Sequence, residues 1–190
     1  MKHVRRTLPR LLRLLALTAL VGVGQAYAND YAEIAQLLKT GKAAEALAKA
    51  DQRLAESPRD PQLRFLRGVA QTDIDQTDAA IATFTQLIQE YPELPEPYNN
   101  LAVIYASQNQ LDKARTALEM AVRNNPSYAA AHENLGDIHA RLAYQSYTKA
   151  QQLEASNPAV KSKLTQLRTL FQPASATAAG AAGKPAASRP

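Results

Sequence analysis

A single period organises this chain of 190 residues. Ala46, Ala80 and Ala114 stand 34 residues apart, as do Pro58, Pro92 and Pro126, and as do Gly68, Ala102 and Gly136. Three independent ladders with one spacing mark an internal repeat. A repeat of this length is one supersecondary unit, which buries its apolar face only by stacking on its neighbours. The units read YAEIAQLLKTGKAAEALAKADQRLAESPRD, PQLRFLRGVAQTDIDQTDAAIATFTQLIQEYPEL and PEPYNNLAVIYASQNQLDKARTALEMAVRNNPSY. Each holds two apolar stretches at helical spacing, divided by a polar break at Lys39-Thr40-Gly41, Asp75-Gln76-Thr77 or Gln108-Asn109-Gln110. The first two end before a Pro, which discourages continuation of the last helix and suits the first turn of the next. The pattern predicts an all-α stack of helix pairs.

The third unit carries an aromatic, a Leu, a small residue and a Tyr at Tyr98, Leu101, Ala102 and Tyr105, then Ala114, Leu118 in an aromatic slot, Ala121 and Pro126. The second keeps Gly68, Ala80, Phe84 and Pro92, with Leu87 replacing a small residue, and the first keeps Ala46 and Pro58. In this the chain resembles the tetratricopeptide repeat (TPR) family over about residues 31–158. The resemblance implies a right-handed α-solenoid of three helix pairs, at about 31–60, 61–94 and 95–128, with a degenerate fourth at 129–158. Within it, Gly68, Ala80, Ala102 and Ala114 let antiparallel helices approach closely, while Tyr98, Tyr105 and Phe84 fill the space between pairs.

The degenerate stretch, HENLGDIHARLAYQSYTKAQQLEASNP at 132–158, lacks a turn between its two helical halves. At 100° per residue from Leu135, Ala131 falls at about −40°, Ile138 at about −60°, His139 at about +40° and Leu142 at about −20°. Ser146, Ala150 and Leu153 continue this stripe at about +20°, +60° and 0°. The stripe runs through the missing turn without a breaker, which predicts one fused helix from about Ser127 to Ala155, roughly 43 Å long. Asn157-Pro158 then offers a cap and a first-position proline for a last helix at 158–171, with a stripe of Val160, Leu164, Leu167 and Phe171. This capping helix is expected to fold back on the fused one, leaving a monomer; pairing of the stripe with a second copy is the alternative.

The two ends read differently. MKHVRRTLPR is basic, LLRLLALTALVGVG is apolar, and Ala26-Tyr27-Ala28 is a small-x-small site. Residues 1–28 thus have the layout of a cleavable secretory signal peptide, with an apolar core too short to span a bilayer. Arg5-Arg6 suggests a twin-arginine signal, but the residues that follow fit it poorly. The signal contains five of the 22 Lys+Arg and none of the 17 Asp+Glu, so the remaining chain is formally neutral. The basic character of the whole therefore predicts no nucleic-acid partner. The 29–156 stretch carries −5 and everything from 157 onward +5. There is no Cys, hence no disulfide and no lipid-accepting residue after the signal. The expectation is an exported, soluble periplasmic protein without a membrane span after cleavage, ending in a disordered Ala/Pro/Gly-rich tail at 172–190.

No catalytic site is expected. His132-Glu133 suggests the zinc motif His-Glu-x-x-His, but Gly136 stands at the position of the second His. His132 and His139 occupy the repeat's aromatic slots and are assigned to core or half-buried packing, so no metal and no cofactor is predicted. The Pro-rich YPELPEPY at 91–98 is taken as a stiff connector between repeats.

The resemblance implies binding of a protein or peptide in a concave groove lined by the first helix of each pair. The slots that face it are Arg64 or Phe65, Leu66 and Val69, then Glu96, Asn99, Asn100 and Val103, then Glu133, Asn134 and Asp137. The chaperone-binding members clamp a C-terminal carboxylate with Lys, Asn and Arg. Here Asn100 and Asn134 match, whereas Val69, Val103 and Glu96 do not. Tyr144 and Tyr147, off the stripe at about 180° and 120°, and the basic Lys161, Lys163 and Arg168 form a possible second contact surface. Two functions follow: an exported scaffold or adaptor that binds an envelope protein, or a periplasmic chaperone that captures extended peptides.

Overall fold

The computed structural model describes residues 30–171, and among them it contains eight α-helices and no strand. The expected signal peptide and C-terminal tail lie outside the described residues. The chain divides into two compact units, one ending at Ala131 and the other beginning at His132.

The first unit holds α1 (30–39), α2 (Ala43–Glu56), α3 (Pro61–Asp73), α4 (Thr77–Glu90), α5 (Pro95–Ser107) and α6 (Leu111–Asn124). From α2 to α6 each helix packs on the next, and α3 also meets α5. Ala46, Ala80 and Ala114, one per pair, are all fully buried. One cluster joins Ile34, Ala46, Ala50 and Leu63; a second joins Ala80, Phe84, Leu87, Leu101 and Ile104. A buried polar pair adds direction between α3 and α4, where the Thr83 hydroxyl lies 2.8 Å from the Gln71 side-chain oxygen.

Small residues are required where helices nearly touch. A Cβ placed on Gly68 would lie 2.6 Å from Cε1 of Phe84, well inside van der Waals contact. The Gly is therefore a packing requirement of α3 against α4.

The turn within each pair has one geometry repeated three times. Gly41, Asp75 and Asn109, spaced by the period, have φ of 73°, 60° and 59°. The next amide in each, Lys42, Gln76 or Gln110, donates to the carbonyl five residues earlier, Leu37, Gln71 or Tyr105, at 2.8–2.9 Å. This is the left-handed helix ending that satisfies the last carbonyls. Gly adopts it freely, and Asp and Asn tolerate it better than other residues.

The proline ladder sits in the loops between pairs. Pro58, Pro92 and Pro126 are the second residues of turns closed by Asp60 N to Ser57 O, Leu94 N to Tyr91 O and Tyr128 N to Asn125 O. Proline's fixed φ suits that position. Pro61 and Pro95, which follow the first two units, stand in the first turns of helices as expected. Neighbouring pairs are also tied across these loops: the Tyr91 hydroxyl donates to Arg59 O at 2.8 Å, and the Asn124 amide donates to Pro92 O at 2.7 Å.

The second unit holds most of α7 (Ala129–Leu153) and α8 (Pro158–Leu170). α7 is unbroken through the position of the missing turn. It is two residues shorter at each end than the sequence predicts. At its start the Asn125 side chain accepts from the Ser127 amide at 3.1 Å and hydroxyl at 2.8 Å, which holds these residues in a turn. Counting one period on from Asn109 reaches Ala143, which is helical. A Cβ on Gly136 would meet nothing within 4 Å, so the small residue persists where no close packing demands it. Asn157 caps α8, accepting from the amides of Ala159 and Val160, with Pro158 in the first turn.

Candidate functional site

Within the first unit, α3 and α5 are the first helices of successive pairs, and their exposed face was expected to bind a partner. On α5, Glu96, Asn100 and Val103 recur at helical spacing along one side. Glu96 is exposed, and Val103 is 47% exposed although apolar. Asn100 is partly exposed, and its Nδ2 donates to Glu96 O at 2.9 Å, which leaves its side-chain oxygen toward solvent. Asn99 departs from expectation: it is 8% exposed. Adjacent helical residues point about 100° apart, so Asn99 and Asn100 cannot both face the same groove, and Asn99 is the one turned inward.

On α3, Arg64 also departs from expectation. Its Nε donates to Pro58 O at 2.8 Å and its Nη1 lies 2.8 Å from Glu90 Oε2. The guanidinium thus ties the 57–60 turn to the end of α4 and is not offered to a partner. Leu66 is a core residue. Val69 is half-buried against the α4–α5 cluster. Phe65 is half-buried, its ring centroid 5.9 Å from that of Phe84, and it contributes to a cleft.

That cleft, about 280 Å³, lies between the starts of α3 and α5 and is lined by Pro61, Gln62, Phe65, Leu94, Glu96 and Pro97. Half of it comes from the segment read as a mere connector. Glu96 forms no ion pair among the described residues. Its charge is nevertheless felt: the Tyr128 phenol is pushed above its ordinary value first by burial and then by Glu96.

A second cleft, about 430 Å³, crosses α4, α5 and α6, with Ile88, Tyr98, Tyr105, Lys113, Ala117 and Met120 among its lining residues. The Lys113 ammonium lies 5.5 Å from the centre of the Tyr105 ring. Tyr98 and Tyr105 are both expected to fill the space between pairs. Tyr98 is buried as expected, but Tyr105 keeps partial exposure. A 34-residue pattern identifies which residues pack between pairs; it does not reveal where that packing leaves a gap.

Glu133, Asn134 and Asp137 lie on α7 in the second unit, Glu133 and Asp137 exposed and Asn134 half-buried. His132 and His139 are both exposed, not the packed residues the aromatic slots implied. Among the described residues no three His, Cys, Asp or Glu are placed to hold a metal ion.

Residues of the second surface contact one another, with Tyr144 and Tyr147 half-buried and Lys161, Lys163 and Arg168 exposed. Tyr144 meets Phe171 edge-on with centroids 6.5 Å apart. Its hydroxyl accepts from Arg168 Nε at 3.1 Å, and the guanidinium carbon lies 5.9 Å from its ring. Lys163 lies 5.0 Å from the Tyr147 ring centre. These tyrosines form the seat of α8, and only Lys161 among the three named cations is exposed without such a contact. At the far end of the stripe centred on Leu135, Leu153 is 77% exposed.

Comparison with known proteins agrees with this geometry. Family models described as tetratricopeptide repeat match residues 31–95 and 75–138. The chain is 34% identical over 102 residues to heat shock protein STI1 of Saccharomyces cerevisiae, covering 50% of this chain and 17% of that protein. It is 29% identical over 99 residues to the chloroplastic tetratricopeptide repeat domain-containing protein PYG7 of Arabidopsis thaliana, covering 47% and 33%. The chain thus spans a third or less of the length of these relatives. Among solved structures, the thermophilic TPR protein TTC0263 of Thermus thermophilus is similar with a TM-score of 0.58 at 24% identity, over 76% of this chain and 82% of that one. The first TPR of Spaghetti (RPAP3), bound to the HSP90 peptide SRMEEVD, gives 0.56 at 18%, over 63% and 94%. The repeated turns, the buried alanine ladder and these matches place the chain in the tetratricopeptide repeat family.

Proposed function

We propose that this protein is an interaction scaffold that binds a protein or peptide segment along the face of α3 and α5, and that it works outside the cytoplasm as an exported adaptor for an envelope protein. The observation that carries the binding reading is the row Glu96, Asn100 and Val103, with a half-exposed valine beside an amide that keeps an open acceptor. Such a mixed apolar and amide surface suits an extended segment or a helix. A solved TPR similar to this chain holds a peptide, which supports the same use here. The export reading rests on the basic, apolar and small-residue layout of residues 1–28.

The test is a photo-crosslinking amino acid at position 103 in intact cells, followed by mass spectrometry. An adaptor gives one dominant, stoichiometric partner; a chaperone for unfolded chains gives many. Crosslinks that are no more frequent than from an exposed position on α2, such as Ala48, refute the face assignment. Cell fractionation with N-terminal sequencing tests export, with Asn29 the expected first residue.

A further inference from the structure

The cleft between the starts of α3 and α5 has a definite chemistry. Its walls are apolar, from Pro61, Phe65, Leu94 and Pro97, and its polar groups are the Gln62 amide and the Glu96 carboxylate. Glu96 is the sole charge on α5, whose sequence PEPYNNLAVIYAS holds no Lys or Arg. The two cations of α3 are engaged elsewhere, Arg64 with Glu90 at 2.8 Å and Arg67 with Asp51 at 2.9 Å. No free cation of these two helices offsets Glu96.

The helix starts themselves must be counted. Each contributes about half a positive charge. Against them stand Asp60, which caps α3 by accepting from Leu63 N at 3.0 Å, and Glu96 in the first turn of α5. These two carboxylates outweigh the two half-charges of the helix starts. The raised pKa of the Tyr128 phenol has Glu96 as its second cause, so the carboxylate acts on a neighbouring side chain.

We infer that this cleft takes a Lys or Arg side chain of the bound segment, its aliphatic stem against Phe65, Leu94 and the prolines and its cationic head at Glu96. This deepens the peptide-binding reading above and rests on it. Long basic side chains bury their stems on apolar surface while keeping the charge at a polar rim, and an aromatic wall adds attraction for the cation. The same chemistry disfavours acidic segments, so this face discriminates against a peptide such as SRMEEVD.

The experiment uses the full chain and three fluorescein-labelled peptides: one alternating Lys with apolar residues, its counterpart with norleucine at each Lys, and SRMEEVD. Fluorescence anisotropy is expected to show the Lys peptide binding about threefold to fivefold tighter than the norleucine one, the scale of a partly exposed ion pair, with SRMEEVD weakest. The Lys preference should shrink with added salt. It should vanish in Glu96→Gln, an exposed site, with circular dichroism checking that the fold is kept. Phe65→Leu, which preserves apolar contact, should weaken the Lys peptide more than the norleucine one. Equal binding of the Lys and norleucine peptides, or a Lys preference that survives Glu96→Gln, overturns the cation cleft and leaves peptide binding standing. Failure of all three peptides, with no crosslinked partner at position 103, overturns both.

Discussion

Phe84 occupies the space that a side chain on residue 68 would need: its ring edge lies 2.6 Å from where a Cβ on Gly68 would stand. Phe84 is fully buried and cannot swing aside without displacing the core between α4 and α5.

Gly68→Ala is therefore expected to destabilise the protein by about 1–3 kcal/mol, the range for overpacking a filled core. The equivalent change at Gly136 should act in the opposite direction. A Cβ there meets nothing, so Gly136→Ala gains up to about 1 kcal/mol of helix propensity. Urea denaturation of the two variants checks the sign of each.

The left-handed turn residues give a second series. Gly41 has φ of 73° and open space around its Cβ position, so the penalty of Gly41→Ala is purely conformational, about 1–2 kcal/mol. Asp75→Gly and Asn109→Gly relieve that same strain and should raise the thermal midpoint or leave it unchanged. A fall in midpoint for both would contradict the conformational account.

Continuity of α7 is testable without a new structure. Hydrogen exchange should show the amides of 141–147 as protected as those of 134–140, whereas a turn would exchange fast. Ala143→Pro removes an intrahelical hydrogen bond and clashes with the preceding turn, at a cost of about 3 kcal/mol or more.

Alkaline pH provides the fourth test. The Tyr128 phenol is raised above 10.0 by burial and by Glu96. The unfolded chain therefore loses this proton first. The stabilisation is complete below the unfolded value near 10 and is lost as pH rises through the higher folded value. Tyr128→Phe should flatten this part of the stability curve. Glu96→Gln should lower the phenol's midpoint in an ultraviolet titration of the folded protein.

Much of the fold could be read from the period. The alanine ladder named the buried positions, the polar breaks located the turns, and the uninterrupted stripe around Leu135 anticipated α7. The proline ladder gave the loops but not their geometry, because proline suits both a helix start and the second position of a turn. The site was less legible. Helical spacing gives the direction in which a Cβ points, and Glu96, Asn100 and Val103 follow from it. It does not give the reach of a long side chain, so it could not show Arg64 bending back to Pro58 and Glu90. Nor does it show that Tyr144 and Tyr147 share their faces with Arg168, Phe171 and Lys163.

The bonds from Tyr91 to Arg59 and from Asn124 to Pro92 run only between adjacent helix pairs. Each loop carbonyl is thus held by the pair that follows it in sequence, and among the described residues neither of these bonds skips a pair. Cooperativity is passed from neighbour to neighbour, as in a row of coupled links. When a later pair frays, the loop before it loses its donor and becomes the next place to open. Loosening therefore spreads back along the first unit in steps of one repeat.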